Sequence, residues 1–388
     1  MNLLSLSMTA SSRRTIIGSI AVSIAFVMEL TLVPLLLPAI QSQFDLSISE
    51  IAWVFNSYGV AVAVGVLLGG WLGDVFNTKR VFSAGVIFFA SGSTLIAFAE
   101  NYEIIIAGRF LQGFGGGVFS PLVPLLLTRA TPTRPGKVLI VWGSVAGYVA
   151  ATAPLFYSSV LAGYGWNLAF VFFALVSVVA MAIVHKSQTG DEPASPTRSG
   201  PAFSKLLGSR DLWAMFGYVF CTYGSITYYL FRLPLWLSDN QFQVESIGFM
   251  LSILWLTFSL ASTFLRNHVD EPHVRKILLA APLFIASAFL LAYFCHGVTC
   301  LAIASILIGF GLACSNAPST QLILKFAPKG MRAASASMDI TFARLGGVAT
   351  VTLLAQSLFG YAVFAVLLLC LVAFICALAT AKRLSEIH

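Results

Sequence analysis

The chain has 388 residues, of which 58% are hydrophobic and only 10% are charged. A soluble domain carries about 25% charged residues, so this composition excludes an ordinary water-soluble protein and predicts one that lies in a lipid bilayer. The formal charge of +7 does not indicate nucleic-acid binding, because the basic residues lie in short gaps between apolar runs and do not cluster on one polar face.

Apolar runs long enough to cross the hydrocarbon core recur along the whole chain. A transmembrane helix needs about 20 such residues. We therefore predict an all-α integral membrane protein with twelve transmembrane helices, at Ile16–Ile40, Glu50–Gly73, Val81–Ala99, Ile104–Leu127, Val138–Ala162, Leu168–His185, Leu212–Leu237, Ile247–Leu265, Ile277–Cys295, Cys300–Leu324, Ala334–Leu358 and Ala362–Ala381. The first run is too long for the apolar core of a signal peptide, so we expect it to remain as the first helix.

The basic residues alternate with these spans in a regular way. With the N-terminus inside, 19 of the 22 Lys and Arg residues fall in the cytoplasmic segments, the outer loops hold none, and the spans hold Arg109, Arg232 and Arg344. Positive residues favour cytoplasmic loops, so both termini are predicted to be cytoplasmic. The predicted location is the cell membrane as a multi-pass protein, which is the inner membrane if the source is Gram-negative.

A hydrophilic stretch rich in Ser, Pro and Gly separates the sixth and seventh spans. We predict a cytoplasmic linker at 186–210, between an N-terminal six-helix bundle at 1–185 and a C-terminal bundle at 211–388. The halves resemble each other at an offset of 196 residues, which aligns Gly113-Phe114-Gly115 with Gly309-Phe310-Gly311, Arg129 with Lys325, Pro132 with Pro328, and Asp74 with Asp270. Such parallel repeats are typical of transporters with a midplane site between two pseudo-symmetric bundles.

The segment after the second span, Gly69–Arg80, resembles the signature of the major facilitator superfamily, Gly-x-Leu-x-Asp-Arg-x-Gly-Arg-Arg between helices two and three. The Asp and the terminal basic pair match, whereas the internal Arg and Gly do not. The resemblance implies the major facilitator fold and a cytoplasmic latch, in which the Asp meets the positive N-terminal end of helix eleven near Ala334. A plain basic turn would explain the Lys and Arg but not the Asp. The predicted gating residues are Gly70, Asp74, Lys79 and Arg80.

Two further segments resemble the drug/proton antiporter branch of this superfamily. Arg109–Gly117 in helix four is similar to its Arg-x-x-Gln-Gly-x-Gly motif. Glu29–Pro38 in helix one is similar to its Asp-x-Thr-x-x-x-x-x-Leu-Pro pattern, with Glu in place of Asp. The resemblance departs in helix five, where Gly-Pro-x-x-Gly-Gly appears only as Ala153–Ser158. The branch implies proton-coupled transport.

Ionisable side chains inside the spans are the main candidates for function. Each costs about 2.5–3.5 kcal/mol at mid-bilayer, so such residues tend to be paired and functional. We hypothesise that Glu29 binds the proton and that Arg109 tunes it, because a nearby cation favours the ionised carboxylate and burial favours the neutral form. A static structural pair is the alternative. The predicted proton-coupling residues are Glu29, Arg109 and Asp339.

Polar aromatic and amide side chains on the predicted cavity-lining helices suit a mostly apolar pocket with a few orienting groups. The predicted substrate contacts are Glu29, Tyr58, Gln112, Tyr228, Arg232, Asn316, Gln321 and Arg344. Arg232 lies near the outer end of its span, where it could instead snorkel to the interface. Aromatic residues at these positions could also be plain packing or interface anchors.

The function we predict is secondary active transport by alternating access, through proton-coupled efflux of a small organic molecule that is drug-like or an anionic metabolite such as a carboxylate siderophore. The sequence has no GxxxxGK[ST] motif, so we expect an ion gradient to supply the energy. Proton-coupled uptake of an organic anion or nutrient by the same fold is the alternative. The predicted partners are protons, a small-molecule substrate and lipid.

Other function classes find less support in the sequence. The five histidines fall at or beyond the span ends and the cysteines show no zinc spacing, so we predict no enzyme, catalytic residue, metal or cofactor. We expect a monomer that binds no nucleic acid. Cys295 and Cys300 flank a short connection; they could pair in an oxidising compartment or remain separate buried thiols.

Overall fold

The computed structural model describes residues 9–187, 208–266, 273–328 and 331–384, and its regular structure in these ranges is helical throughout. The helices are α1 (Ala10–Gln43), α2 (Ile48–Val75), α3 (Thr78–Ala97), α4 (Tyr102–Phe119), α5 (Leu122–Ala130), α6 (Pro135–Phe156), α7 (Asn167–His185), α8 (Arg210–Asp239), α9 (Val244–Leu265), α10 (Val274–Phe294), α11 (Val298–Phe326), α12 (Arg332–Leu354) and α13 (Phe359–Leu384). A π-helical turn at Tyr157–Leu161 and a short 3-10 turn at Ala162–Tyr164 continue α6. Most of the predicted linker at 186–210 lies outside the described residues.

Ten helical passages in the described parts of the chain are long and apolar enough to cross a membrane. One of them joins α4 and α5, which are interrupted at Ser120 and Pro121. The other two long helices, α8 and α12, do not reach the same apolarity, because Tyr, Thr, Ser and Gly residues interrupt their apolar runs. The polytopic all-helical architecture is therefore confirmed, and the count of twelve spans stays a prediction.

Short polar caps start several helices. The side-chain oxygens of Asn77 and Asn101 accept hydrogen bonds from backbone N–H groups at the start of α3 and α4, over 3.1 and 2.9 Å. Ser47 and Glu50 form a reciprocal capping box at the start of α2, where the Ser47 N–H donates to Glu50 Oε2 over 2.8 Å. These caps satisfy N–H groups that a helix leaves unpaired, and they fix where each span begins.

Glycines of the helix-four motif allow α4 to pack closely against α2 and α3. A Cβ atom at Gly115 would lie 2.5 Å from the Gly85 carbonyl oxygen of α3, and one at Gly117 would lie 2.6 Å from the Val62 carbonyl oxygen of α2. Small residues at such contacts let two backbones approach each other. At the position 196 residues later, Gly311 of α11 similarly faces α10. The predicted repeat aligns these two glycines, and each faces the helix that precedes its own along the chain.

The chain forms two compact units. Unit 1 comprises Met1–Leu30, Ala61–Val149 and Tyr164–Ser199, and unit 2 comprises Thr31–Val60, Ala150–Gly163 and Gly200–His388. Within unit 2, the second part of α1, the first part of α2 and the end of α6 are therefore grouped with α8 to α13. All three of these pieces lie towards the predicted outer side. The division into bundles at 1–185 and 211–388 remains a prediction.

A disulfide joins Cys295 and Cys300 across the turn between α10 and α11. This settles the question that the sequence left open for this pair. Disulfides persist mainly in oxidising compartments, and the predicted orientation places this turn outside the cytoplasm. The bridge is thus consistent with that orientation.

Candidate functional site

A buried charged network lies within unit 1, where α1, α3 and α4 come together. Arg109 of α4 donates from Nη1 to Glu29 Oε1 of α1 over 2.6 Å, and also to Gln112 Oε1 over 2.7 Å. Gln112 Nε2 then donates to Ser93 Oγ of α3 over 2.9 Å. Glu29 and Arg109 are each only 1% exposed. The two motif segments that the sequence placed 80 residues apart thus meet in one ion pair.

The local sequence explains how this network is positioned. Arg109 and Gln112 are three residues apart on α4, so their side chains lie on one helix face. Gly92 of α3 faces the Gln112 backbone so closely that only a hydrogen side chain fits there. The Ser93 hydroxyl donates onward to the Phe89 carbonyl oxygen over 2.7 Å. The hydrogen bonds therefore run from α1 through α4 into the backbone of α3.

One oxygen of the Glu29 carboxylate has a different environment from the other. Oε1 accepts from Arg109, whereas Oε2 is buried and has no hydrogen-bond partner among the described residues. A buried polar atom without a partner is costly, and it calls for an explanation such as a catalytic or binding role. This atom is where a proton could bind without first breaking the ion pair.

A second polar group lies within unit 2, on α8, α11 and α12. Thr320 Oγ1 donates to Asp339 Oδ2 over 2.6 Å, and the Tyr223 hydroxyl donates to Asn316 Oδ1 over 2.8 Å. Asp339 is 7% exposed, whereas Asn316 is exposed in the middle of α11. Asp339 and Arg344 both lie within electrostatic reach of Tyr223. We call Tyr223, Asn316, Thr320, Asp339 and Arg344 the α11–α12 polar group.

The charge of Arg344 is not paired within the part of the chain that the structure describes. It is half-buried near the middle of α12, and no hydrogen bond or ion pair joins it to another described residue. An unpaired cation at this depth of a span is costly, and such residues usually mark a water-filled cavity or a ligand path.

The other predicted substrate contacts are more scattered. Tyr58 and Tyr228 are buried, the latter stacking near Phe289 with ring centroids 6.2 Å apart, while Gln321 is exposed on α11. Arg232 lies near the end of α8 and faces Asp239 at 3.8 Å. The structure therefore separates Arg232 from the α11–α12 polar group within unit 2, and the roles of all these residues remain predictions.

The predicted gating motif gains one contact that the sequence did not show. Lys79, 9% exposed, donates from Nζ to the carbonyl oxygens of His185 and Ser187, at the C-terminal end of α7. Arg14 donates to the neighbouring Lys186 carbonyl oxygen over 3.0 Å. These cations cap carbonyl groups that the helix leaves unpaired, and they favour its negative end.

The other predicted gating residues make no contact that bears on the latch within the described residues. Arg80 is exposed, Gly70 is half-buried in α2, and the side chain of Asp74 lies outside the described residues. The predicted latch between Asp74 and helix eleven therefore stays a prediction. Lys79 precedes the end of α7 by about 100 positions along the chain, so the local sequence gives no signal that it caps this helix.

Polar contacts also join the pieces that make up unit 2. Asn56 of α2 donates to Thr352 Oγ1 of α12 over 2.9 Å, and the Leu155 N–H of α6 donates to Ser252 Oγ of α9 over 2.9 Å. A Cβ atom at Gly59 would lie 3.0 Å from Val348. We call these contacts, which involve the segments Thr31–Val60 and Ala150–Gly163, the outer-side contacts.

The segment that departs from the antiporter pattern takes part in these contacts. Ala153–Ser158 ends α6 and enters the π-helical turn at Tyr157–Leu161. A Cβ atom at Gly248 of α9 would lie 2.7 Å from the Pro154 carbonyl oxygen. π-Helical turns inside helices often occur at functional sites. The antiporter pattern has its glycines after the Pro of helix five. In this chain, the glycine at this contact is Gly248 of α9.

Comparisons with known proteins agree with this architecture. The family model described as Major Facilitator Superfamily matches residues 18–351. The tetracenomycin C resistance and export protein of Streptomyces glaucescens is 32% identical over 170 residues, which cover 43% of this chain and 31% of that protein. The putative niacin/nicotinamide transporter NiaP of Bacillus subtilis (strain 168) is 25% identical over 207 residues, covering 52% and 51%.

Among solved structures, the in meso crystal structure of the POT family transporter PepTSo superposes with a TM-score of 0.77. The match covers 97% of this chain and 98% of that chain at 14% identity, so it shows the fold alone. The curated relatives are matched over only about a third to a half of their own length.

Proposed function

The chain belongs to the Major Facilitator Superfamily, and from this premise we propose that it exports a small organic molecule in exchange for protons. It is a transporter and not an enzyme, and it is a multi-pass protein of the cell membrane. The observation that carries the proposal is the buried Glu29–Arg109 pair, in which one carboxylate oxygen accepts no hydrogen bond from any described residue.

Glu29 is the proposed proton-binding group. Its Oε2 atom accepts the proton, which neutralises the carboxylate and removes most of the electrostatic attraction to Arg109. Because both residues are almost fully buried, this attraction is not screened by water, and its loss changes the balance of forces between α1 and α4. Gln112 already accepts a hydrogen bond from the same Arg109 nitrogen, and it continues to hold the guanidinium after Glu29 is protonated.

The α11–α12 polar group is the proposed contact for the substrate. Arg344 offers a guanidinium that pairs with no described residue, and Asn316 and Tyr223 offer an amide and a phenol in the same group. A guanidinium pairs best with carboxylate or another oxygen-rich group. The substrate class we propose is therefore a mainly apolar organic molecule with an anionic or strongly accepting group.

The outer-side contacts are proposed to belong to one of two transport states. Asn56 and Leu155 lie in segments from the first half of the chain, and their partners lie in the second half. We propose that these contacts close the outer side and must break before the substrate leaves. Such switching between discrete packings is the usual basis of alternating access.

The direction of transport is proposed from similarity to named relatives. Export is supported by the resemblance to the Streptomyces glaucescens export protein. Uptake is the second candidate, because the Bacillus subtilis relative named as a putative niacin/nicotinamide transporter matches a larger share of both chains. Cells that overexpress the protein should accumulate less of an exported compound and more of an imported one, relative to cells that lack it.

The test of coupling uses purified protein in liposomes that contain a pH-sensitive dye. Compounds that stabilise the protein in a thermal-shift screen are added under an imposed pH gradient, and both compound flux and proton movement are recorded. Glu29→Gln should abolish proton movement and pH-driven flux while retaining compound binding. Glu103→Gln, which changes an exposed carboxylate at the start of α4, is the matched control. Unchanged pH-driven flux in Glu29→Gln would remove Glu29 from the mechanism.

A further inference from the structure

Two opposite charges lie in the α11–α12 polar group without neutralising each other. Asp339 and Arg344 are five residues apart on α12, which corresponds to about 7.5 Å along the helix and about 140° around it. No ion pair joins them, and neither pairs with any other charged residue that the structure describes. Both nevertheless act electrostatically on Tyr223 of α8. The group therefore offers a negative and a positive charge to the same ligand.

The side chains of α11 connect these two charges. Asn316 and Thr320 are four residues apart, so they lie on one face of the helix. Asn316 Oδ1 accepts a hydrogen bond from the Tyr223 hydroxyl over 2.8 Å. One turn further along α11, Thr320 Oγ1 donates to Asp339 Oδ2 over 2.6 Å. The Nδ2 group of Asn316 donates to no described residue, so its N–H groups are available to a ligand.

This face of α11 is open rather than packed. Asn316 and Gln321 are exposed and Thr320 is half-buried, although α11 is an apolar helix long enough to cross a membrane. Amide groups that faced lipid at the middle of a span would lack hydrogen-bond partners, which is costly. We therefore interpret this face as one that water and a small molecule can reach. Next to it, Arg344 is half-buried and Asp339 keeps 7% of its surface exposed.

The two charges limit which ligand this group can bind well. A purely anionic ligand would pair with Arg344 but would bring a second negative charge close to Asp339. Like charges repel strongly where little water screens them. A purely cationic ligand would meet the same conflict with Arg344. A ligand that carries both charges compensates both residues and leaves the net charge of the group at zero.

We propose that the α11–α12 polar group binds a zwitterion, a small organic molecule with a carboxylate and an ammonium group close together on an apolar body. The carboxylate pairs with Arg344 and accepts a hydrogen bond from Asn316 Nδ2, and the ammonium group donates to Asp339. This substrate class rests on the proposed function of the group as the substrate contact, and it narrows that class from organic anions to zwitterions. An α-amino acid with an apolar side chain has the required chemistry.

The test is a binding titration by calorimetry at pH 7.5, with the full chain in detergent and three probes that share a phenyl group. Phenylalanine carries both charges, 3-phenylpropionate lacks the ammonium group, and 2-phenylethylamine lacks the carboxylate. The affinity of the unmodified protein for phenylalanine should be about tenfold higher, or more, than for either other probe, because phenylalanine forms one more charge-assisted bond. Equal or tighter binding of 3-phenylpropionate, or no detectable binding of phenylalanine, contradicts the proposal.

Two variants assign the charges to their partners. Asp339→Asn should lower the affinity for phenylalanine to that for 3-phenylpropionate, and it should not weaken binding of 3-phenylpropionate itself. Arg344→Gln should lower the affinity for phenylalanine by about tenfold or more without weakening binding of 2-phenylethylamine. Glu245→Gln at the exposed start of α9 and Arg332→Gln at the exposed start of α12 are the matched controls, which should leave all three affinities unchanged. If Asp339→Asn weakens phenylalanine and 3-phenylpropionate by the same factor, Asp339 does not meet the ammonium group and the proposal is wrong.

Folding and transport are controlled separately. If thermal unfolding shows that Asp339→Asn is misfolded, the three probes compared in the unmodified protein and in Arg344→Gln still decide the outcome. If the liposome assay shows no proton coupling but the probes bind in the expected order, the substrate class stands and the proposed coupling is wrong. If transport is coupled to protons but 3-phenylpropionate binds as tightly as phenylalanine, only the substrate class is wrong.

Discussion

The Glu29–Arg109 network and the α11–α12 polar group place charges inside helical spans in two different ways. In the first, a carboxylate and a guanidinium are almost fully buried and bonded to each other at 2.6 Å. In the second, Asp339 accepts a bond from a neutral hydroxyl, and Arg344 has no partner among the described residues. The comparison shows that charge burial alone does not define a role. In a bonded ion pair the two charges compensate each other within the protein. A cation without such a partner can instead pair with a ligand.

The largest effect that tests this difference is expected from Arg109→Ala. Removing one member of a buried ion pair leaves the other charge without compensation, at a cost of about 3–5 kcal/mol. We therefore expect a large loss of stability, measured by thermal and denaturant unfolding in detergent.

A double variant distinguishes the effect of an uncompensated charge from a general loss of folding. Glu29→Gln/Arg109→Gln has no charge left to strand, so it should recover much of the stability that Arg109→Ala loses. If the single and double variants are equally unstable, the loss comes from packing or from Gln112 rather than from an uncompensated carboxylate. In that case the stability of the Glu29–Arg109 network would not depend on the compensation of its two charges.

The equivalent glycines of the repeat provide the next largest effect. Gly115→Ala would bring its Cβ to 2.5 Å from a backbone carbonyl oxygen of Gly85, which cannot move without shifting α3. Gly311→Ala would instead meet the Cγ1 atom of the Ile285 side chain at 2.7 Å, and the nearest backbone atom, the Ala281 carbonyl oxygen, would lie at 3.3 Å. Overpacking of this kind costs about 1–3 kcal/mol, so Gly115→Ala should lie within that range and Gly311→Ala below it.

Gly136 is the control for these substitutions, because a Cβ atom there would meet nothing within 4 Å. Gly136→Ala should leave the unfolding temperature nearly unchanged. If Gly311→Ala proves as destabilising as Gly115→Ala, the second half is as tightly packed at this position as the first. The difference between the two regions would then be confined to their charges.

The hydroxyl bond to Asp339 should be worth less than the ion pair. Thr320→Val removes the donor that bonds Asp339 Oδ2 at 2.6 Å and keeps the shape of the side chain. A hydrogen bond to a charged group contributes about 1.5–3 kcal/mol, and the 7% exposure of Asp339 allows water to replace part of it. We therefore expect a smaller loss of stability than in Arg109→Ala, measured by the same unfolding assay.

Asp339→Asn tests the same bond from the other side. The amide keeps an oxygen that can accept from Thr320, so its stability should lie between those of the unmodified protein and Thr320→Val. A larger loss in Asp339→Asn than in Thr320→Val would show that the carboxylate interacts with a further charged group. Arg344 is the candidate, because both residues act electrostatically on Tyr223.

The sequence predicted the parts of this molecule that depend on local pattern. Apolar runs long enough to cross a bilayer predicted the positions of the long helices, although α1 begins at Ala10 rather than Ile16, because a helix continues beyond the hydrocarbon core. The helix-one and helix-four motifs identified Glu29 and Arg109 as a possible pair, and the structure joins them. Their role in proton coupling stays a prediction.

Other contacts depend on the rotation of each helix about its own axis, and no sequence motif predicts that rotation. Tyr223 with Asn316, and Thr320 with Asp339, are separated by 93 and 19 residues, and nothing in their local sequence relates one to the other. Arg232 is a case of the opposite kind. Its position near a span end predicted both a cavity role and an interfacial one, and the structure gives it a loose pairing with Asp239 at 3.8 Å.

Arg344 should show the smallest effect on stability and the clearest effect on binding. Because no described group pairs with it, Arg344→Gln strands no opposite charge, and we expect a change in unfolding free energy of within about 0.5 kcal/mol. The affinity for compounds that carry a carboxylate should fall about tenfold or more, since the charge-assisted bond is lost, while neutral analogues should bind as before. Calorimetry on the unmodified protein, Arg344→Gln and Arg344→Lys measures both quantities, and Arg332→Gln at the exposed start of α12 is the control. A large loss of stability in Arg344→Gln would mean that this guanidinium, like that of Arg109, holds the protein together, and the contrast between the two regions would disappear.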